Sequence, residues 1–77
     1  MTQTDAQSKP LSLGQRLQAA RRARGISITK LAYKLDVDPR TVARWQADET
    51  MPSIVRLGEI ARVLEKPPSY FLDEEAA

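Results

Sequence analysis

Arg40 and Arg44 lie four residues apart in the stretch ITKLAYKLDVDPRTVARWQ, residues 28–46, with Thr41 between them. On a helix that spacing places them on one face. A guanidinium is a planar group of five N–H donors that keeps its charge at every accessible pH. Two of them side by side suit a polyanionic partner, although charge alone fits a merely solvated arginine-rich helix equally well. Other chemistries find little to work with. The chain has no histidine and no cysteine, so it offers no imidazole base, no thiolate nucleophile and no common transition-metal site. Its three glycines form no phosphate-cradling loop. The carboxylates fall at caps, in a loop, on polar helix faces or near the C-terminus. An enzyme is therefore not expected, and neither is a cofactor, a metal or a small-molecule ligand.

The elements that must position the two arginines are legible from periodicity and caps. Leu31 and Leu35 are four apart with Ala32 beside them, giving a first short helix one apolar face. Ser27 is placed to cap it, and Asp36-Val37 breaks the pattern. Asp38 offers an oxygen to cap a second helix, from Pro39 to about Gln46, and Pro39 stands at the first helical position, where its missing N–H costs nothing. Val42 and Trp45, three apart, face inward, while Arg40, Thr41 and Arg44 face out. Upstream, Leu11 to about Arg24 reads as a helix with Ser12 and Gln15 in capping-box positions. Leu13, Leu17, Ala20 and Arg24 share a face there, Gly25 ends it, and Arg21 points partly inward, where it needs a partner. Downstream, residues 47–52 form a loop. Ser53 starts a fourth helix with Ile54, Leu57, Ile60, Ala61 and Leu64 on one stripe, which Glu65-Lys66-Pro67-Pro68 stops. A last turn at Ser69–Leu72 brings Tyr70, Phe71 and Leu72 against the bundle. No segment alternates as a strand would. The expectation is an all-α, compact four- to five-helix bundle.

With 77 residues the chain is one domain near the lower size limit for folding on a hydrophobic core alone. Residues 1–10 are polar and aperiodic and are expected to be a disordered arm, residues 11–72 the domain, and residues 73–77 an acidic tail. The formal charge of +2 conceals an asymmetry. Residues 1–46 hold nine Lys/Arg against three Asp/Glu, and residues 47–77 hold three against seven. No apolar run reaches membrane-span length and no signal-peptide pattern opens the chain. A cytoplasmic protein with no membrane partner is expected.

Counting Ile28 as the first position, the apolar residues fall at the fourth, eighth, tenth, fifteenth and eighteenth places (Leu31, Leu35, Val37, Val42, Trp45), with Ala32 at the fifth. That spacing suits two helices joined at about 90–120° by a tight turn. In these residues, and in the LGQRLQAARRARGIS, PSIVRLGEIARVL and YFL segments around them, the chain resembles the Cro/phage-repressor-like (XRE-type) helix-turn-helix family of DNA-binding proteins, from about Leu13 to Leu72. The resemblance implies a lambda-repressor-like domain, bacterial or phage-encoded and nucleoid-associated, that binds a double-stranded DNA operator as a small transcriptional regulator. The second helix of the motif then enters the major groove. The matching base-contact positions are Pro39, Arg40 and Arg44. An Arg fork pairs with guanine O6 and N7, whereas Pro39 can only pack on a thymine methyl. Helix N-termini and nearby groups are expected to meet the DNA backbone at Ser27, Ile28, Thr29, Thr41, Ser53, Ile54 and Arg56.

Departures from the family pattern modify this expectation. Ile28 stands where Gln is common, leaving only its amide for a phosphate. Asp36 stands where Gly is common at the turn, and Gln46 where a Glu usually pairs with an inward Arg, so Arg21 and Gln46 should share a hydrogen bond. Asp48 and Glu49 put two carboxylates in a loop expected close to the DNA backbone, where they oppose binding. A domain this small makes few base contacts, so a homodimer on a pseudo-palindromic operator is expected, with Val55, Tyr70, Phe71 and Leu72 as its interface. The competing reading is a protein-interaction module of the same fold, for example an antitoxin or a regulatory partner, with weak or no DNA binding; the acidic C-terminal half favours it and the outward arginines oppose it.

Overall fold

The computed structural model describes residues 11–72 and shows five helices: α1 (Leu13–Ala23), α2 (Ile28–Leu35), α3 (Pro39–Gln46), α4 (Ile54–Leu64) and α5 (Pro68–Leu72). Both the expected N-terminal arm and the acidic tail lie outside the described residues. Each of the four longer helices starts on a side-chain cap. Ser12, Ser27 and Ser53 accept from the amides of Gln15, Lys30 and Arg56, and Asp38 accepts from that of Arg40. Gln15 returns the bond to the Ser12 amide, completing the expected capping box. The same four helices also end alike. At α1, the Ile26 amide donates to the Arg21 carbonyl and that of Gly25 to Arg22, both at 3.0 Å, with Gly25 at φ 67°. This is a Schellman close. Equivalent bonds close α2 at Asp36, α3 at Asp48 and α4 at Glu65.

Those last three residues are acidic and carry φ of 61°, 62° and 57°, where an L-residue costs about 1–2 kcal/mol and Asp somewhat less. The turn between α2 and α3 therefore stores removable strain. Asp36 is exposed and no side-chain bond holds it among the described residues, so Asp36→Gly is expected to raise stability by about 1 kcal/mol. Denaturant unfolding that shows no gain would mean that the Asp side chain contributes to the turn in its own right.

Inside, Leu17 and Ala20 of α1, Leu31, Ala32 and Leu35 of α2, Val42 and Trp45 of α3, Leu57, Ile60, Ala61 and Leu64 of α4 and Phe71 of α5 form one core. Leu13, Ile26, Ile28, Val37, Val63 and Tyr70 pack on its margin. Ala32 is fully buried, and its small side chain lets α2 lie close on α3. α1 also packs on α3 and on α5, while α4 packs on α2 and on α5. The recognition-helix candidate α3 is thus held from two sides.

Three expectations about packing are corrected. Ile54 belongs to the α4 stripe by spacing yet is 72% exposed. It is the first residue of its helix, and helical side chains lean toward the N-terminus, so it points past the end of the bundle. Arg24 is the exposed C-cap of α1 rather than an inner-face residue and pairs with Glu65 at 2.7 Å. Leu72 is about half exposed, so of the closing residues only Phe71 is buried in the core.

Candidate nucleic-acid interface

α3 presents Pro39, Arg40, Ala43 and Arg44 as exposed residues, with Thr41 half-buried and Val42 and Trp45 turned inward. The two arginines sit four apart on the outer face, as the spacing predicts. Arg40 is not loose: Asp38 Oδ1 accepts its amide at 2.8 Å and its Nε at 3.4 Å, and Asp38 Oδ2 accepts from Nη2 at 3.3 Å. The Arg40 side chain, then its amide, holds the Asp38 carboxyl below its ordinary range. In turn the carboxylate pushes Arg40 upward. Asp38 was read in the sequence as a cap alone. Its second role follows from its position two residues before an arginine, although that spacing by itself does not require the contact.

The helix N-termini expected to meet a phosphate backbone are built as anticipated in part. Ser27 Oγ and Ser53 Oγ are committed to the amides of Lys30 and Arg56, leaving the first amides of α2 and α4, those of Ile28, Thr29 and Ile54, without an intrahelical acceptor. The Ile28 side chain packs against the core, so only its amide faces outward chemistry. Arg56 is engaged in the scaffold instead. Its Nη1 donates to the Leu35 carbonyl at 2.9 Å and to Glu59 Oε1 at 2.7 Å. The reason is local: Leu35 ends α2, where carbonyls lack helical partners and a cation is favoured. Arg56 therefore ties α4 to α2 through Nη1.

Asp48 also differs from expectation. It accepts from Ser12 Oγ at 2.6 Å and from the Gly14 amide at 2.9 Å, capping the start of α1 from 34 residues away. An anion is favoured at that helix terminus. Its carboxylate is thereby occupied in joining α1 to the end of α3, and of the acidic pair only Glu49 is left without such a role among the described residues. The expected Arg21–Gln46 contact is present: Arg21 Nε donates to Gln46 Oε1, and Nη1 to the Ile26 carbonyl, each at 3.0 Å. Burial, and then the neighbouring Arg22, pushes the Arg21 guanidinium down from its ordinary value. It stays charged, since arginine does not deprotonate in proteins.

Among the residues offered as an interface between copies, Val55 is 73% exposed, Leu72 is exposed, Tyr70 is half-buried and Phe71 is core. Tyr70 meets Phe71 edge-on with ring centroids 5.0 Å apart, and Lys66 lies over its ring. A surface groove of about 390 Å³ runs past Leu11, Leu13, Met51 and Leu72, with Phe71 in its lining. The exposed Met51 had no role in the sequence, because an isolated apolar residue beside a loop carries no periodic signal, and the exposed Leu11, expected to open the first helix, lies ahead of its Ser12 cap. Tyr33 is the most exposed large hydrophobic side chain of the described residues, and periodicity had given it no role either.

The sequence pattern of the helix-turn-helix family matches residues 17–71, which runs from within α1 to within α5 and includes both arginines. The chain belongs to the helix-turn-helix family. Members of this family are DNA-binding transcriptional regulators rather than enzymes. No curated protein sequence matches the chain, but solved structures do. One is the restriction-modification controller protein C.AhdI from Aeromonas hydrophila, 29% identical, with a TM-score of 0.72 over 77% of this chain and 89% of that one. The N-terminal DNA-binding domain of SinR from Bacillus subtilis is 29% identical, with a TM-score of 0.75 over 84% and 96% of the two chains. SinR in complex with DNA, described as the master regulator for biofilm formation, is 31% identical, with a TM-score of 0.74 over 79% and 98%. The chain covers 89–98% of these three solved chains. No described helix is long and apolar enough to cross a membrane.

Proposed function

We propose that this chain is a sequence-specific, double-stranded-DNA-binding transcriptional regulator whose α3 enters the major groove. The observation that carries this reading is the outer face of α3, where Arg40 and Arg44 project from a helix capped at its start and packed on two neighbours. A structural relative at 31% identity is a DNA complex. Arg40 and Arg44 read guanine, Pro39 lies against the edge of a neighbouring base, and Thr41 reaches the backbone. The free amides at Ile28, Thr29 and Ile54, beside Ser27 and Ser53, fix the register on phosphates. The domain occupies residues 11–72, flanked by an arm and an acidic tail, and acts at the nucleoid.

The chain binds as a homodimer to a pseudo-palindrome with half-sites about one helical turn, roughly 34 Å, apart. Val55 and Leu72 supply its apolar contact, with Tyr70 at the margin. Phe71 supports that surface from within. Selection of random duplexes by the purified protein at two salt concentrations tests the reading. The expected result is one enriched, two-fold symmetric, guanine-containing site whose affinity falls steeply with salt, by a slope of about 0.9 for each phosphate neutralised. Recovery of no enriched sequence would favour the protein-interaction alternative. A monodisperse monomer in sedimentation, free and on a two-half-site duplex, would remove the dimer.

A further inference from the structure

We propose that Asp38 is a specificity-determining positioning residue, which grips Arg40 by one edge of its guanidinium so that the opposite edge is presented to guanine. The inference rests on the reading of α3 as the base-reading helix. A guanidinium has one N–H on Nε and two each on Nη1 and Nη2. The Asp38 carboxylate meets the Nε–Nη2 edge, with Oδ1 toward Nε and Oδ2 toward Nη2. Both protons of Nη1 and the second proton of Nη2 remain, and the end-on pair of these is the fork that fits guanine O6 and N7.

The grip is anchored because Asp38 is itself fixed. Its Oδ1 also accepts the amide that it caps, at 2.8 Å, and the following residue is the conformationally restricted Pro39. Without that anchor Arg40, whose side chain is 81% exposed, would sample many rotamers and lose that freedom on binding. The carboxylate acts a second way. It places a negative charge beside the base-reading group, which weakens attraction to phosphate on any sequence and so disfavours non-specific complexes. Arg44 has no hydrogen-bonded carboxylate among the described residues. The two arginines of one face are therefore unequal: one held, one free.

Asp38→Asn separates this role from capping, because Asn is as good an N-cap as Asp but replaces one carboxylate oxygen with a donor. Asp38→Asn, Arg40→Ala and the double variant are compared in the full chain by equilibrium binding. The targets are the duplex selected by the wild type and duplexes changed at each guanine; thermal unfolding controls for the cap. For Asp38→Asn the expected result is an unfolding midpoint close to wild type and tighter binding to unrelated DNA. Discrimination at the base pair read by Arg40 should fall about three- to tenfold, within the range for coupled neighbours. Discrimination at the Arg44 base pair should hold, and the effect should vanish in the Arg40→Ala background. Unchanged discrimination in Asp38→Asn, or an equal effect with and without Arg40, overturns the proposal while leaving α3 as the reading helix. Unchanged discrimination in Arg40→Ala overturns the role of Arg40 in that helix and this proposal with it. If Asp38→Asn lowers the midpoint, Asp38→Ser, which also caps, takes its place in the same comparison.

Discussion

Arg44→Ala should leave the fold intact and cost discrimination at a single base pair by about 5- to 150-fold, the range for one bidentate arginine–guanine pair. Arg44 is exposed, makes no cap and packs nothing in the core, so its removal takes away a donor fork and little else. Arg40→Ala should behave likewise at a second base pair, and it also releases Asp38 from its guanidinium partner. The two roles open to an exposed arginine on DNA separate by salt. If Arg44 reads a base, the variant loses affinity for the selected site, keeps its affinity for unrelated duplexes within a small factor, and shows nearly the wild-type salt slope. If it instead neutralises a phosphate, affinity falls evenly across sequences and the slope drops by about 0.9. Titration of the selected and a scrambled duplex at several salt concentrations decides between them. An even loss for both variants would move the reading of sequence elsewhere on α3.

How much of this was visible in the sequence depends on the range of the interaction. The caps at Ser12, Ser27, Asp38 and Ser53 were legible because donor and acceptor lie two or three residues apart. The core was largely legible because a helix face repeats at a fixed period, and Leu31, Ala32, Leu35, Val42 and Trp45 all lie where that period puts them. Ile54 shows its limit: the period names the apolar face but not whether anything stands opposite it. The Arg21–Gln46 hydrogen bond was foreseen only because the family resemblance supplied the pairing. Arg56 was assigned to phosphate on its nearness to a helix start. Its Nη1 is shared between Glu59, three residues on, and the Leu35 carbonyl at the end of another helix, and no local pattern announces a main-chain acceptor 21 residues away. Asp48 was expected to repel DNA for the same reason: its charge was readable and its acceptor geometry was not. The candidate site was thus legible in its arginines and illegible in the carboxylates that hold or support them.

The least legible residue is Gly14, and replacing it is expected to damage the domain most. Gly14→Ala should lower the unfolding midpoint by about 12–24 °C, corresponding to a loss of about 3 kcal/mol in a domain of this size. Gly14 is the second residue of α1, where Ala would ordinarily stabilise a helix. Here a Cβ would run into the carbonyl oxygen of Gln46, with the Gln46 carbonyl carbon at 2.8 Å and Asp48 Oδ2 at 2.9 Å. Main chain cannot turn aside as a side chain can, so α1 and the end of α3 would have to part. Parting them stretches the Asp48 bonds to Ser12 and Gly14 and the Arg21–Gln46 contact together, since all cross the same seam. Gly58 supplies the control. It lies within α4, and a Cβ there meets nothing within 4 Å, so Gly58→Ala should gain about 0.5–1 kcal/mol from propensity alone. A Gly14→Ala protein as stable as wild type would show that α1 and α3 are not in close main-chain contact. Opposite signs for the two substitutions would locate in that contact the support that holds the C-terminal end of α3, two residues beyond Arg44, in place.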